Sequence, residues 1–212
     1  MHRNSQKRFY NKNYIYFVTV NTYQKFPYFK EKILCDLFLE ELKICKQIKK
    51  FRLYAFCLNY DHFHLLLQPG SVNISKIMQF LKRHFSRNAN VIMLNNKNNM
   101  INEENINQIK NESDIGQCRL RDKCYIKNKY HIFINKFDKK IINFQKQFIQ
   151  KYKKNNFLIP KFKWQKSFHD HIIRNKKDFL HHYHYTSSNF LKHQLPKKWS
   201  YTSLNNPQLL DM

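Results

Sequence analysis

A chain of 212 residues has room for one ordinary domain, or for one domain carrying a long insertion. Hydrophobic residues make up 42% of it and aromatics 16%, which argues against wholesale disorder, and no run approaches the roughly 18 apolar residues of a membrane span. Lys and Arg number 39 against 14 Asp and Glu, a formal net charge of +25 that repels itself unless a polyanion shares it, so nucleic acid is the expected partner.

The opening MHRNSQKRFYNKN is basic but lacks the apolar stretch of a secretory signal, and the chain is expected to be cytoplasmic and nucleoid-associated. Residues 14–21 (YIYFVTVN) alternate β-branched and aromatic side chains and predict a strand. Ile33, Leu34, Leu37, Phe38, Leu42, Cys45 and Ile48 then recur at helical spacing. Residues 51–58 (FRLYAFCL) predict a second strand; a turn, NYD, leads into a third, HFHLLLQ, which ends at Pro69-Gly70. Asn73 is placed to cap a helix running through Ile77, Phe80, Leu81 and His84.

From about residue 89 to 156 the composition turns Asn-rich, as in a solvated insertion, apart from one amphipathic helix built on Phe133, Phe137, Ile141, Phe144 and Phe148. Residues 164–174 (WQKSFHDHIIR) predict a fourth strand, and a last helix should start near Asn175-Lys176 and reach about Lys192. The order β-α-β-β-α-(insertion)-β-α is the ferredoxin-like, split βαβ pattern of an α+β protein. It predicts one catalytic domain over residues 1–212, with a four-stranded antiparallel sheet, helices on one face and the insertion before the last strand.

Five cysteines in a chain without a signal form no disulfide framework, and Cys118 and Cys124 match zinc spacing poorly, so reduced thiols are expected. The sharpest local feature is Asp61-His62-Phe63-His64 in an otherwise apolar strand. Side chains alternate along a strand, so the two imidazoles share a face and can clamp one divalent metal, with a third ligand supplied from elsewhere. Spacing alone does not separate that reading from two surface histidines. His169 and His171 form a second pair of the same kind, read as facing DNA or as structural. Trp164 and Phe168 read as core, with base stacking as the alternative.

The stretch FCLNYDHFHLLLQP, followed by SVNISKIMQFLKRHFSRNAN, resembles the HUH-type single-tyrosine transposases, in particular their REP-associated branch. RFYNKNYIYFVTVNTYQKFPYF, WQKSFHDHIIRNKKDF and PKKWSYTSL are similar to other blocks of that branch, so the resemblance covers residues 8–88 and 161–204. It implies a DNA transposase that cuts and rejoins single-stranded hairpin DNA through a 5′-phosphotyrosine, with Mg²⁺ or Mn²⁺ as cofactor. It implies a nucleophilic tyrosine on the last helix, where Tyr183 and Tyr185 both lie; counting from FHDH selects Tyr185. It also implies His62, His64 and Asn189 as metal ligands, and Lys82 and Arg83, extended by Arg87, as DNA-binding residues. Relatives read Tyr-Ile-x-x-Asn-Pro where this chain reads Tyr-Thr-Ser-Ser-Asn-Phe, so the local geometry departs there. Monomer and homodimer both remain open, and a non-catalytic or domesticated nucleic-acid-binding module is the alternative.

Overall fold

The computed structural model describes residues 10–93, 137–152 and 159–211. Cys118, Cys124, Phe133 and most of the expected insertion lie outside the described residues. The described residues fall into two units, 10–87 with 162–211, and 88–93 with 137–152 and 159–161.

In the first unit, β1 (Tyr16–Asn21) leads through two short 3-10 turns to α1 (Lys32–Lys49). β2 (Arg52–Leu58) and β3 (His62–Gln68) follow, and then α2 (Ile74–Met93), whose last turns belong to the second unit. The second unit holds helix α3 (137–152), which buries Ile141, Phe148 and Tyr152 and ties Gln145 Nε2 to the Val91 carbonyl at 3.0 Å. Back in the first unit come β4 (His169–Ile172) and α4 (Lys176–Lys192). The sheet order is β2-β3-β1-β4 with every neighbouring pair antiparallel, the arrangement that the ferredoxin-like expectation requires.

Strand register decides which face each side chain serves. Tyr16, Val18 and Val20 pair with Leu67, Leu65 and Phe63, and all six are fully buried. Onto this face pack α1 and α2, through Phe38 against Phe63 and Phe85 against Phe38. Removing this apolar surface from water is the main stabilising term, about 25 cal/mol per Å² buried. The other face carries Phe17, Thr19, His62, His64, His169 and His171. There the expectation of helices on one face needs correcting: α4 crosses this second face, with Tyr185 against both Phe17 and His64. Its side toward the sheet bears Thr186, Ser187, Asn189 and Phe190, all buried. A helix of this polarity covers a polar patch, which is what the imidazole face presents.

The fourth strand is shorter than expected. Trp164 makes only an isolated bridge to Thr22, and the chain reaches strand geometry at His169. Between them the carbonyls of Gln165, Lys166 and Ser167 turn toward the Lys82 ammonium, which donates to them at 2.8, 3.5 and 3.2 Å. Trp164 itself joins the aromatic core with Phe29, Phe63 and Phe85, as its core reading requires. The closing segment lines the free edge of β2: Leu58 N donates to the Tyr201 carbonyl, Asp211 N to that of Leu53, and Thr202 bridges Cys57. An edge so covered offers no template for strand addition. Cys35, Cys45 and Cys57 are free and buried, and burial pushes each thiol upward, so they are inert packing residues.

Candidate active site

The turn between β2 and β3 sets the first two candidate side chains. Asn59 N donates to the His62 carbonyl at 2.8 Å, and the Asp61 carbonyl accepts from both the backbone and the hydroxyl of Thr22. From this anchored turn β3 starts at His62, so His62 and His64 project side by side with ring centroids 4.9 Å apart.

Each imidazole is oriented by a second hydrogen bond. His62 Nδ1 lies 2.6 Å from Asp61 Oδ1, and His64 Nδ1 lies 2.8 Å from Thr19 Oγ1. With the proton on Nδ1 in each ring, both Nε2 atoms are left as acceptors, the arrangement by which outer partners tune metal-binding histidines. That of His64 makes no hydrogen bond among the described residues, and that of His62 accepts from the Asn59 amide, which a cation would displace. The His62 partner holds the Asp61 carboxyl below its usual range. Burial, helped by the neighbouring His62 and His193, pulls His64 down to about 3, so its imidazole is neutral near pH 7.

The third side chain arrives on α4. Asn175 caps the helix by accepting from Asp178 N at 2.9 Å, which fixes its start and therefore its rotation. One turn apart on α4, Tyr185 and Asn189 both face β3. The Tyr185 ring stands edge-on to His64 at 5.5 Å, and Asn189 Oδ1 accepts from Asn59 Nδ2 at 2.8 Å. The same Asn59 amide lies 2.9 Å from His62 Nε2. Asn59 therefore ties the first imidazole to the helix that carries the tyrosine.

Four of the residues singled out in the sequence, His62, His64, Tyr185 and Asn189, thus converge in space. Tyr183 turns elsewhere, stacking on Phe179 at 6.1 Å. The departure after Asn189 is absorbed by packing. Phe190 is buried in a cluster with Cys57 and Leu195, flanked by Tyr60 and Trp199, and α4 runs on unbroken to Lys192. Two further groups join the site without having been singled out. His193 places its ring 4.7 Å from that of His62, and Lys192 sets its ammonium 5.4 Å from the Tyr185 ring centre. His181 is exposed, its ring beside that of His182.

The basic residues Lys82, Arg83 and Arg87 sit on α2, across the sheet from the imidazoles. Lys82 holds the 165–167 carbonyls, Arg83 is exposed and Arg87 half-buried. Lys82 and Arg83 line a broad open groove of about 860 Å³, together with Trp164 and Lys166.

The donor set fits a divalent cation. His64 Nε2 and Asn189 Nδ2 are buried and make no hydrogen bond among the described residues. A neutral imidazole with a buried, unshared Nε2, beside a second imidazole and an amide oxygen, offers two nitrogens and one oxygen to a divalent cation, whose remaining positions would need oxygen from water or a bound phosphate.

The sequence matches the family model described as transposase, IS200 like, over residues 9–108, just under half of the chain. No curated protein matches it. Among solved structures the chain is similar to a REP-associated tyrosine transposase bound to a REP hairpin, at 16% identity and TM-score 0.53, covering 99% of this chain and 89% of that one. In sequence over residues 9–108 the chain resembles the IS200-like transposases, and its fold is similar to that of the REP-associated tyrosine transposase.

Proposed function

We propose that the chain is a DNA transposase that cleaves and rejoins single-stranded hairpin DNA, with Tyr185 as nucleophile. The IS200-like match and the shared fold support a DNA transposase, and the hairpin bound by the structural relative supports the substrate class. One observation carries the choice of nucleophile: of the two tyrosines on α4, it is Tyr185 whose ring lies against His64.

In the proposed reaction the Tyr185 oxygen attacks the phosphorus of the scissile linkage. A phenolic O–P bond forms, the bond to the 3′ oxygen breaks, the phenol proton passes to solvent, and the leaving oxygen takes up a proton as a free 3′-hydroxyl. The cut strand is retained as a 5′-phosphotyrosine, and attack by the 3′-hydroxyl of another end reverses the step. His62, His64 and Asn189 would hold a divalent cation, Mg²⁺ or Mn²⁺, which offsets charge developing on the phosphate oxygens. Asp61 and Thr19 keep both imidazoles in the ligand tautomer, and Asn59 holds α4 at the correct rotation. Lys192 brings a positive charge beside the nucleophile.

Arg83 and Arg87 are proposed to bind the DNA backbone from α2. Lys82, engaged with the 165–167 carbonyls, shapes that surface through the loop it holds. Nucleophile and imidazoles come from one chain, so the reaction needs no partner subunit. No helix among the described residues is long and apolar enough to cross a membrane. The test is incubation with labelled hairpin DNA and Mn²⁺ or Mg²⁺. A protein–DNA adduct resistant to denaturant is expected, whereas binding without an adduct would leave a nucleic-acid-binding module.

A further inference from the structure

A second group of ligating side chains lies at the start of α4. His171 comes from β4, on the same sheet face as His62 and His64, while Asp178 and His182 come from α4 four residues apart and thus share a helix face. His171 Nε2 lies 3.0 and 3.3 Å from the two carboxylate oxygens of Asp178. His182 Nδ1 lies 3.1 Å from the same carboxylate and 3.0 Å from the Asp178 carbonyl. One potential ligand atom from each of the three residues lies within 4.8 Å of the other two.

The cluster is built rather than incidental. Asp178 is pinned from two sides, its backbone N–H donating to the Asn175 cap and its Oδ2 accepting from Arg174 N at 3.0 Å. The rings of His171 and His182 stack at 4.6 Å with an interplanar angle of only 15°, which aims both toward the carboxylate. All three residues are half-buried, which protects a bound ion from full hydration while leaving an approach for it.

We infer that His171, Asp178 and His182 form a second divalent-cation site, separate from the His62–His64 pair and selective for a borderline ion of the zinc type. Two imidazoles and one carboxylate are the donor set such ions prefer, and a magnesium-type ion would demand more oxygen. Three protein ligands leave one coordination position open to water or to a phosphate oxygen. The Phe17 ring lies between the two centres, 4.7 Å from His182 and 5.3 Å from His64. A cation here clips the first turns of α4 to β4, one turn before Tyr185, and so fixes the helix that presents the proposed nucleophile. The site stands on its own residues and does not depend on the transposase reading.

The experiment uses the full-length protein with His62→Ala and His64→Ala, which removes the other ligand pair. Titration with Zn²⁺, and with Co²⁺ followed by its visible absorption, should show one equivalent bound and a raised Tm. Adding His182→Gln, which leaves the Asn175 cap intact, should weaken that equivalent by about tenfold or more, and Asp178→Asn should act in the same direction. Circular dichroism and the metal-free melt report whether each variant is folded, and His182→Gln alone decides the matter if Asp178→Asn does not fold. No bound equivalent in the His62→Ala, His64→Ala protein would overturn the inference. So would one that survives His182→Gln unchanged, since another histidine group would then be the ligand. Adduct formation by the wild type is a separate readout, so failure of the transposase reading would be distinguishable.

Discussion

Tyr185 on α4 and His64 on β3 meet edge-on, with ring centroids 5.5 Å apart and planes inclined at 69°. The contact joins residues 121 apart in sequence, and two local rules produce it: the alternation of β3 turns His64 to the second sheet face, and the Asn175 cap sets the phase of α4. The buried His64 Nε2 makes no hydrogen bond among the described residues, so it is the imidazole nitrogen most readily available to the proposed cation. His64→Ala should therefore weaken Mn²⁺ binding by about tenfold or more while leaving hairpin affinity within about twofold. Isothermal titration of Mn²⁺, paired with a hairpin gel-shift assay, checks both. Unchanged Mn²⁺ affinity would place the cation elsewhere.

Asn59 donates from one amide to two acceptors, His62 Nε2 and Asn189 Oδ1. Asn59→Ala leaves both acceptors buried and unpaired, and at about 1 kcal/mol per hydrogen bond it should cost about 2 kcal/mol of stability. Urea denaturation measures the loss, and adduct formation should fall with it because α4 loses its tether. A change within about 0.3 kcal/mol, inside the range of a neutral surface substitution, would remove the tethering role.

Much of this was legible in the residues. Alternation in YFVTVN, helical spacing from Leu34 to Cys45, the cap at Asn73 and the helix start near Asn175-Lys176 announced elements that fold nearly where expected. What stayed hidden depends on contacts distant in sequence. Periodicity shows that a helix has an inward side, but it does not say which face of the sheet that side meets, so the position of α4 was missed. The shortened β4 follows from Lys82 capturing carbonyls 83 to 85 residues away. Asn59 looked like a turn residue because its partner Asn189 is 130 residues downstream. His193 was hidden for the same reason, and the His171 grouping needed the stacking of α4 over β4.

Gly70 is required by a close approach. Lys50 ends α1 in the left-handed region, at φ 49 and ψ 47, and a Cβ on Gly70 would fall inside the van der Waals radius of its carbonyl oxygen. Backbone, unlike a side-chain tip, cannot swing aside. Gly70→Ala should destabilise by about 2 kcal/mol or more, lowering Tm in a calorimetric melt, and an unchanged Tm would contradict the packing described.

Acid should weaken the fold through His84. Its ring stacks on Phe80 at 4.0 Å, and burial, with Arg87, Arg83 and Lys49 nearby, lowers it to about 4. The unfolded chain takes this proton near pH 6.5 and the folded chain only near 4. Stability from His84 is thus full above pH 6.5 and is lost as pH falls toward 4, on the order of 1 kcal/mol per pH unit. His84→Gln should flatten the slope of unfolding free energy between pH 6.5 and 4 relative to wild type. Parallel slopes would show that His84 titrates normally.

The most direct test of the central claim is the yield of denaturant-resistant adduct from labelled hairpin DNA with Mn²⁺, measured in parallel for wild type, Tyr185→Phe and Tyr183→Phe. Adduct is expected from wild type and Tyr183→Phe, and none from Tyr185→Phe, although Tyr185→Phe still shifts the hairpin in a gel. Adduct formed by Tyr185→Phe at the wild-type level would contradict that claim.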